Sequence, residues 1–225
     1  MIFNFTNKLC QLFHNLNFWQ QFDHQKFATE INNNEPSNKE NEITSPQIAE
    51  IEWVECEDVY KPIEKPIQEF VTERGIDDKK FSQVYIVNTA HSALVEHLKA
   101  DTRVEHGGIL FGNAYNDSEQ GIYVEITAAI AAPATMGTGA YLEFTAESWL
   151  GIMDYAKAAH PDANIVGWYH SHPNIGVFMS GTDMRTQRAF FHHPWCLSIV
   201  CDPIRNQIGY FLGEKAKLVN IVKFS

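Results

Sequence analysis

The sequence predicts a layered α/β or α+β domain, and three observations lead there. From about residue 83 onward, short apolar runs of strand length alternate with stretches of helical periodicity. Two such runs, 195–201 and 207–212, flank the tight polar connection Asp202-Pro203-Ile204-Arg205-Asn206, so antiparallel neighbours must be present. The glycines near residue 108 are followed by neither Gly-x-Gly-x-x-Gly nor Lys-Ser/Thr, which argues against a doubly wound dinucleotide fold.

At 225 residues the chain has room for one domain and an appendage. Residues 1–27 are rich in aromatics, and Leu9, Leu12, Phe13, Leu16 and Trp19 recur at helical spacing. We expect an aromatic-rich helix over 1–30 with three open roles: packing on the domain body, contact with a partner, or contact with a second copy. A membrane-surface helix would need more Lys and Arg on its polar face. Residues 31–47 are polar and aperiodic and form a linker. Residues 48–80 form an acidic accessory segment, with a strand over 48–59 (Ile51, Trp53 and Val59 inward) and a short helix over 67–75 ending at Gly75.

The remaining domain, 81–225, is taken in order. Residues 83–88 form a strand. Thr89 caps a helix carrying Ala93, Leu94, His97 and Leu98. Residues 109–111 form a buried strand, bordered by Gly107, Gly108 and Gly112, which allow close backbone approach. A hairpin-like turn covers 113–121 and a strand 122–130. Residues 131–139 form a small-residue loop bordering the cleft. A strand at 141–144 leads to Thr145, which caps a helix running to 159 with Trp149, Ile152, Met153 and Ala156 on its apolar face. Residues 165–169 make a further buried strand, and 183–191 a helix. The last apolar stretch, 218–222, returns as an edge strand or docks as a tail.

Composition sets outer limits. The net charge is −11, which argues against nucleic acid as a partner. Between residues 30 and 80 fourteen acidic residues face six basic ones, so the acidity is concentrated ahead of the domain. It either selects a basic partner or keeps the protein soluble. No run of eighteen apolar residues exists, so no spanning membrane segment is expected. The first nineteen residues lack the pattern of a secretory signal. Cys10, Cys56, Cys196 and Cys201 form no Cys-x-x-Cys pair and read as reduced residues of a cytoplasmic protein.

The chemistry lies in residues 167–183, Gly-Trp-Tyr-His-Ser-His-Pro-Asn-Ile-Gly-Val-Phe-Met-Ser-Gly-Thr-Asp. His170 and His172 are two apart, so on extended backbone both face one way. Asp183 follows eleven residues later, in the first turn of a helix that Ser180 can cap. Two imidazole nitrogens and a carboxylate oxygen are a common protein share of a catalytic zinc site with an open fourth position. Ser180 and Asp183 can equally be read as capping residues alone. His106 points away from Glu105 on a strand, and His192 and His193 are neighbours that do not converge, so these read as structural or surface groups.

His-x-His-Pro, six residues and Ser-x-x-Asp together resemble the motif of the JAMM/MPN family of zinc metalloproteases, and the resemblance covers about residues 81–212. It implies an MPN domain, a mixed, mostly antiparallel sheet flanked by helices and carrying here an N-terminal extension. It implies one zinc ion per chain, Zn2+ with a catalytic water, held by His170, His172 and Asp183. Amide hydrolysis also needs a carboxylate that is not a ligand to move the proton, and the matching residue is Glu105. Ser180 matches the serine that donates to the developing oxyanion, and Trp168 an aromatic that packs behind the histidines. The implied reaction is hydrolysis of a peptide or isopeptide bond after the C-terminus of a ubiquitin-like protein. The alternatives are processing of a ubiquitin-like or sulfur-carrier precursor tail, and a non-catalytic interaction module. The short segment 183–195 suggests a compact prokaryotic member.

Overall fold

A computed structural model of the chain describes residues 60–77, 81–132, 135–138, 141–144 and 146–225. The expectations for the aromatic helix, the linker, the strand over 48–59 and the cap at Thr145 lie outside the described residues.

The longest ladder is the hairpin of β3 (Gly107–Asp117) and β4 (Gly121–Ala131), paired antiparallel from Gly108↔Ala131 to Asp117↔Gly121 with a bulge at Phe111/Gly112. The turn expected over 113–121 shrinks to three residues. Ala114 and Tyr115 are buried, so burial carries the strand through a polar-looking stretch. The Asp117 carboxylate ends it by accepting from Glu119 N and Gln120 N, both at 2.8 Å. On the other flank of β3 runs β7 (Asn164–Ser171), antiparallel, with Gly107 opposite His170. β8 (Leu197–Asp202) pairs parallel with β7, and β9 (Gln207–Leu212) antiparallel with β8. β7 thus has a neighbour on both sides, which accounts for its unbroken apolar run up to the histidines.

β2 (Val84–Val87) pairs parallel with β4 and feeds directly into α2 (Asn88–Ala100). Thr89 is not the cap. Val87 holds that position with no side-chain capping bond, and Thr89 lies inside the first turn. Residues 131–139 depart from expectation: β5 (Thr135–Thr138) forms there in place of loop and pairs with β6 (Tyr141–Phe144), the strand expected at 141–144, in a separate two-stranded hairpin. α3 (Ala146–Ala159) buries Trp149, Ile152, Met153 and Ala156, as its spacing predicts. The stretch 218–222 splits. β10 (Lys217–Leu218) edges β9, while β11 (Val222–Phe224) pairs parallel with β2 at the opposite edge, giving the order β10-β9-β8-β7-β3-β4-β2-β11.

Residues 60–77 pack on this sheet. β1 (Ile63–Glu64) pairs parallel with β3 at Tyr115 and Asn116. α1 (Ile67–Glu73), followed by Gly75 at φ 63, brings Phe70 into a cluster with Tyr85, Tyr115, Tyr123 and Phe224. Arg74 grips the buried Glu125 with Nε and Nη2 at 2.7 and 3.0 Å. Packing therefore continues across position 81, and the compact unit runs Tyr60–Ser225. Among the described residues no helix is long and apolar enough to cross a membrane.

Candidate metal centre

β7 ends at Ser171, and His170 and His172 leave it on the same side. α4 (Gly181–Phe190) begins opposite them with a capping box. Ser180 Oγ accepts from Asp183 N at 3.2 Å, and Ser180 N donates to Asp183 Oδ2 at 2.6 Å. The capping reading of this pair therefore holds. It leaves Asp183 Oδ1 facing the histidines.

His170 Nε2 and His172 Nε2 lie 3.2 Å apart. Asp183 Oδ1 is 3.4 Å from His170 Nε2, and Oδ2 is 3.4 Å from His172 Nε2. Taking one ligand atom from each residue, all lie within 4.8 Å of one another. Tetrahedral zinc with bonds of about 2.0–2.2 Å separates its ligand atoms by roughly 3.3–3.5 Å. The donor set suits zinc, and its nearest approaches stand close to that spacing. The imidazoles fit as well: His172 Nδ1 approaches Gly176 O at 3.3 Å, and as donor there it turns the Nε2 lone pair toward the cluster. His170 Nδ1 has no hydrogen-bond partner among the described residues. The His170 ring is instead held flat against Trp168, at 4.4 Å and 10°.

Glu105 enters from the residues just ahead of β3. Its Oε1 is 3.9 Å from His172 Nε2, farther than the nearest approaches of 3.2 and 3.4 Å within the trio. It is 4 % exposed, and burial pushes its carboxyl up to about 7, with the Asp183 charge adding to the rise and His172 opposing it. Burial lowers His170, and the Asp183 carboxylate only partly offsets this. Burial also works against a charged His172, but the Asp183 hydrogen bond and the two nearby carboxylates raise it above its ordinary value. Asp183 is held well below the carboxylate range: burial opposes this, and hydrogen bonds to both histidines and Ser180 outweigh it. The pocket is built to hold positive charge between its imidazoles and its carboxylates.

All five residues singled out in the sequence thus lie on two facing elements and the strand entry beside them. His106, like Glu105 just ahead of β3, turns toward His97, ring to ring at 5.8 Å. His192 and His193 do converge, at 4.5 Å, because the chain leaves α4 at Phe191 and is no longer helical there. His193 stacks on Trp195, and no third ligand joins the pair among the described residues. Sequence reasoning missed Gln187. It is fully buried, accepts from Trp168 Nε1 at 2.8 Å, and donates to Phe191 O and Gly213 O at 3.0 and 3.1 Å. The available signal was its place four residues after Asp183, on the same helix face. Asp202 was read only as a turn residue, yet its carboxylate accepts from the loop that follows His172.

Residues 79–193 match the sequence profile of the family described as JAB1/Mov34/MPN/PAD-1 ubiquitin protease. The 26S proteasome regulatory subunit RPN11 of Eremothecium gossypii is 30% identical over 151 residues, 66% of this chain and 47% of that protein. The ubiquitin carboxyl-terminal hydrolase RPN11 of Saccharomyces cerevisiae is 30% identical over 148 residues, 65% of this chain and 46% of that protein. The 26S proteasome non-ATPase regulatory subunit 14 of Drosophila melanogaster is 31% identical over 140 residues, 61% and 44%. The chain spans about half the length of the curated relatives it matches. These three relatives are eukaryotic and lend no support to a specifically prokaryotic member.

Proposed function

The chain belongs to the JAB1/Mov34/MPN/PAD-1 ubiquitin protease family, and from that premise we propose that it is a zinc-dependent protease of the JAMM type. Its reaction is hydrolysis of the peptide or isopeptide bond that follows the C-terminus of a ubiquitin-like protein. The observation that carries the reading is the buried His170–His172–Asp183 trio with a separate buried carboxyl, Glu105, beside it. The ubiquitin-like substrate rests on the family and on the printed name of the yeast relative, a ubiquitin carboxyl-terminal hydrolase.

His170, His172 and Asp183 would hold the zinc. When bound, zinc lowers the pKa of a water and polarises the scissile carbonyl. Glu105 takes a proton at its carboxylate and returns it to the departing amine, and its place beside the trio without joining it suits that role. The Ser180 hydroxyl accepts from Asp183 N and keeps its own proton to donate to the carbonyl oxygen as it gains charge. Trp168 and Phe191 stack behind His170 and hold its ring in plane. Phe178 lies 4.8 Å from His172 and limits water on the open side.

An extended tail would reach the site beside β4. β2 covers β4 only at Val124–Ile126, so the outer side of 127–131 is left without a ladder partner among the described residues. Residues 81–225 form the protease domain, with 60–77 as a brace on it. A cytoplasmic location rests on the free thiols Cys196 and Cys201. A prokaryotic origin rests on the short 183–195 segment alone.

Metal analysis and a panel of ubiquitin-like proteins fused through their C-termini to a reporter test the proposal. Wild type is expected to carry one zinc and cleave at least one fusion. Glu105→Gln is expected to keep the zinc and lose turnover by about 10²–10⁴-fold. His170→Ala is expected to lose both. Zinc-free wild type, or cleavage indifferent to a chelator, refutes the proposal. Cleavage of linear precursors without conjugates would mark precursor processing. Stable association without cleavage would mark the interaction module.

A further inference from the structure

Asp202, the last residue of β8, is fully buried. Its carboxylate joins two loops. Oδ2 accepts from Gly176 N at 2.8 Å, and Oδ1 accepts from Asn174 N at 3.1 Å. Oδ1 also accepts from Ile204 N and Arg205 N, both at 3.0 Å. Arg205 clamps the same loop from outside: its Nη2 donates to Asn174 O at 2.8 Å, and its Nε lies 3.5 Å from Asp202 Oδ2. The clamped residues need this support. Asn174 and Gly176 both have positive φ, 62° and 92°, so the segment makes two left-handed steps within three residues. Gly176 O is the group that meets His172 Nδ1 at 3.3 Å.

We infer that Asp202 is a positioning residue for the metal centre: by anchoring residues 174–176 it fixes the carbonyl that keeps His172 in its Nδ1–H form with Nε2 toward the cluster. The inference rests on the zinc reading of that cluster. A ligating histidine loses basicity and orientation when the acceptor on its other nitrogen moves, and such outer partners are worth about 10–100-fold in metal affinity. Asp202 does not touch the metal and has no role in proton transfer.

The fold supplies its own control. Asp117 is also buried and also accepts backbone N–H groups, from Ile67 at 2.7 Å and from Glu119 and Gln120 at 2.8 Å. It lies ten residues along β3 from Gly107, the residue opposite His170. Asp202→Asn and Asp117→Asn each put an amide where a carboxylate oxygen accepted, so both are expected to lower the unfolding temperature. The zinc affinity of the full chain, by competition with a chromophoric chelator, and the visible spectrum of the cobalt-loaded protein separate them. Asp202→Asn is expected to weaken zinc by about 10–100-fold and to alter the cobalt spectrum. Asp117→Asn is expected to leave both as in wild type. Unchanged zinc affinity in Asp202→Asn, or equal weakening in both variants, overturns the inference. Where Asp202→Asn does not fold, Arg205→Ala decides. A smaller loss of zinc affinity is expected there, and an affinity equal to wild type overturns the positioning role. If wild type itself takes up no zinc, the proposed function falls and this inference with it. Normal wild-type binding with an indifferent Asp202→Asn removes the inference alone.

Discussion

Replacing Gln187 by methionine removes an amide from the centre of the scaffold behind His170 while nearly conserving volume, so the loss is one of hydrogen bonds and not of packing. The amide accepts from Trp168 Nε1 and donates to Phe191 O, Gly213 O and Cys196 O. Two of these carbonyls keep another donor: Ala216 N reaches Gly213 O, and Gly213 N reaches Cys196 O, both at 2.9 Å. The cost therefore falls mainly on the Trp168 indole and the Phe191 carbonyl. At roughly 1–3 kcal/mol for each buried group that loses its partner, the variant is destabilised by about 4 kcal/mol. For a folded unit of this size that is a fall of about 8–16 °C in the midpoint of thermal unfolding. The assay is circular dichroism of zinc-loaded protein on heating, repeated in a Trp168→Phe background where the indole donor is already absent. There the methionine substitution is expected to cost about 2 kcal/mol less. A midpoint within about 2 °C of wild type, or strict additivity of the two changes, would refute the assignment of Gln187 as the link between α4 and β7.

Ser180→Ala is expected to cost about 1 kcal/mol of stability through the lost cap and on the order of 10² in turnover; an unchanged rate in steady-state assays leaves Ser180 as a cap only. Gly108→Ala would place a Cβ 2.2 Å from Ile130 O and 2.5 Å from the Tyr169 hydroxyl. Backbone on one side blocks relief, so we expect a loss of about 1–3 kcal/mol or more in denaturant titration, and a midpoint equal to wild type contradicts the packing. The Glu105 carboxyl rises from 4.5 to about 7 in the metal-free fold. A raised folded value contributes stability that is present in full below 4.5 and lost as pH climbs through 7. Metal-free wild type should therefore lose stability relative to Glu105→Gln across that window, and parallel pH curves for the two proteins would contradict the burial of this charge.

The metal trio was legible because its chemistry is local in the chain. A two-residue repeat on a strand and a first-turn aspartate fix three donors within fourteen residues, and the structure brings them within 4.8 Å. Strand β7 and helix α4 were legible for the same reason, since an apolar run and a capping serine are both short-range signals. The second layer was not. Gln187 and Asp202 look like ordinary polar residues until the fold brings Trp168 against one and the 174–176 loop against the other. The hairpin turn was misread because Asn113 and Asp117 suggest a loop, whereas burial of Ala114 and Tyr115 between flanking strands overrides local polarity. Strand β5 was hidden by the small residues of 131–139, which carry almost no strand signal, whereas its partner β6 lies where a strand was expected.

The strand order sets a timetable. β2 is made early, yet its outer neighbour β11 is the last of the described strands, and it brings Phe224 to the aromatic cluster around Phe70. On the ribosome, at about 5–20 residues per second, the interval between these two strands is on the order of 10 s. Throughout it the nascent domain carries an open row of backbone groups on β2 and an unfilled gap beside Phe70, Tyr85 and Tyr123. Only three residues separate β10 from β11, at opposite edges of the sheet. The closing step therefore docks both ends of the sheet together, and it waits for nearly the whole domain to emerge.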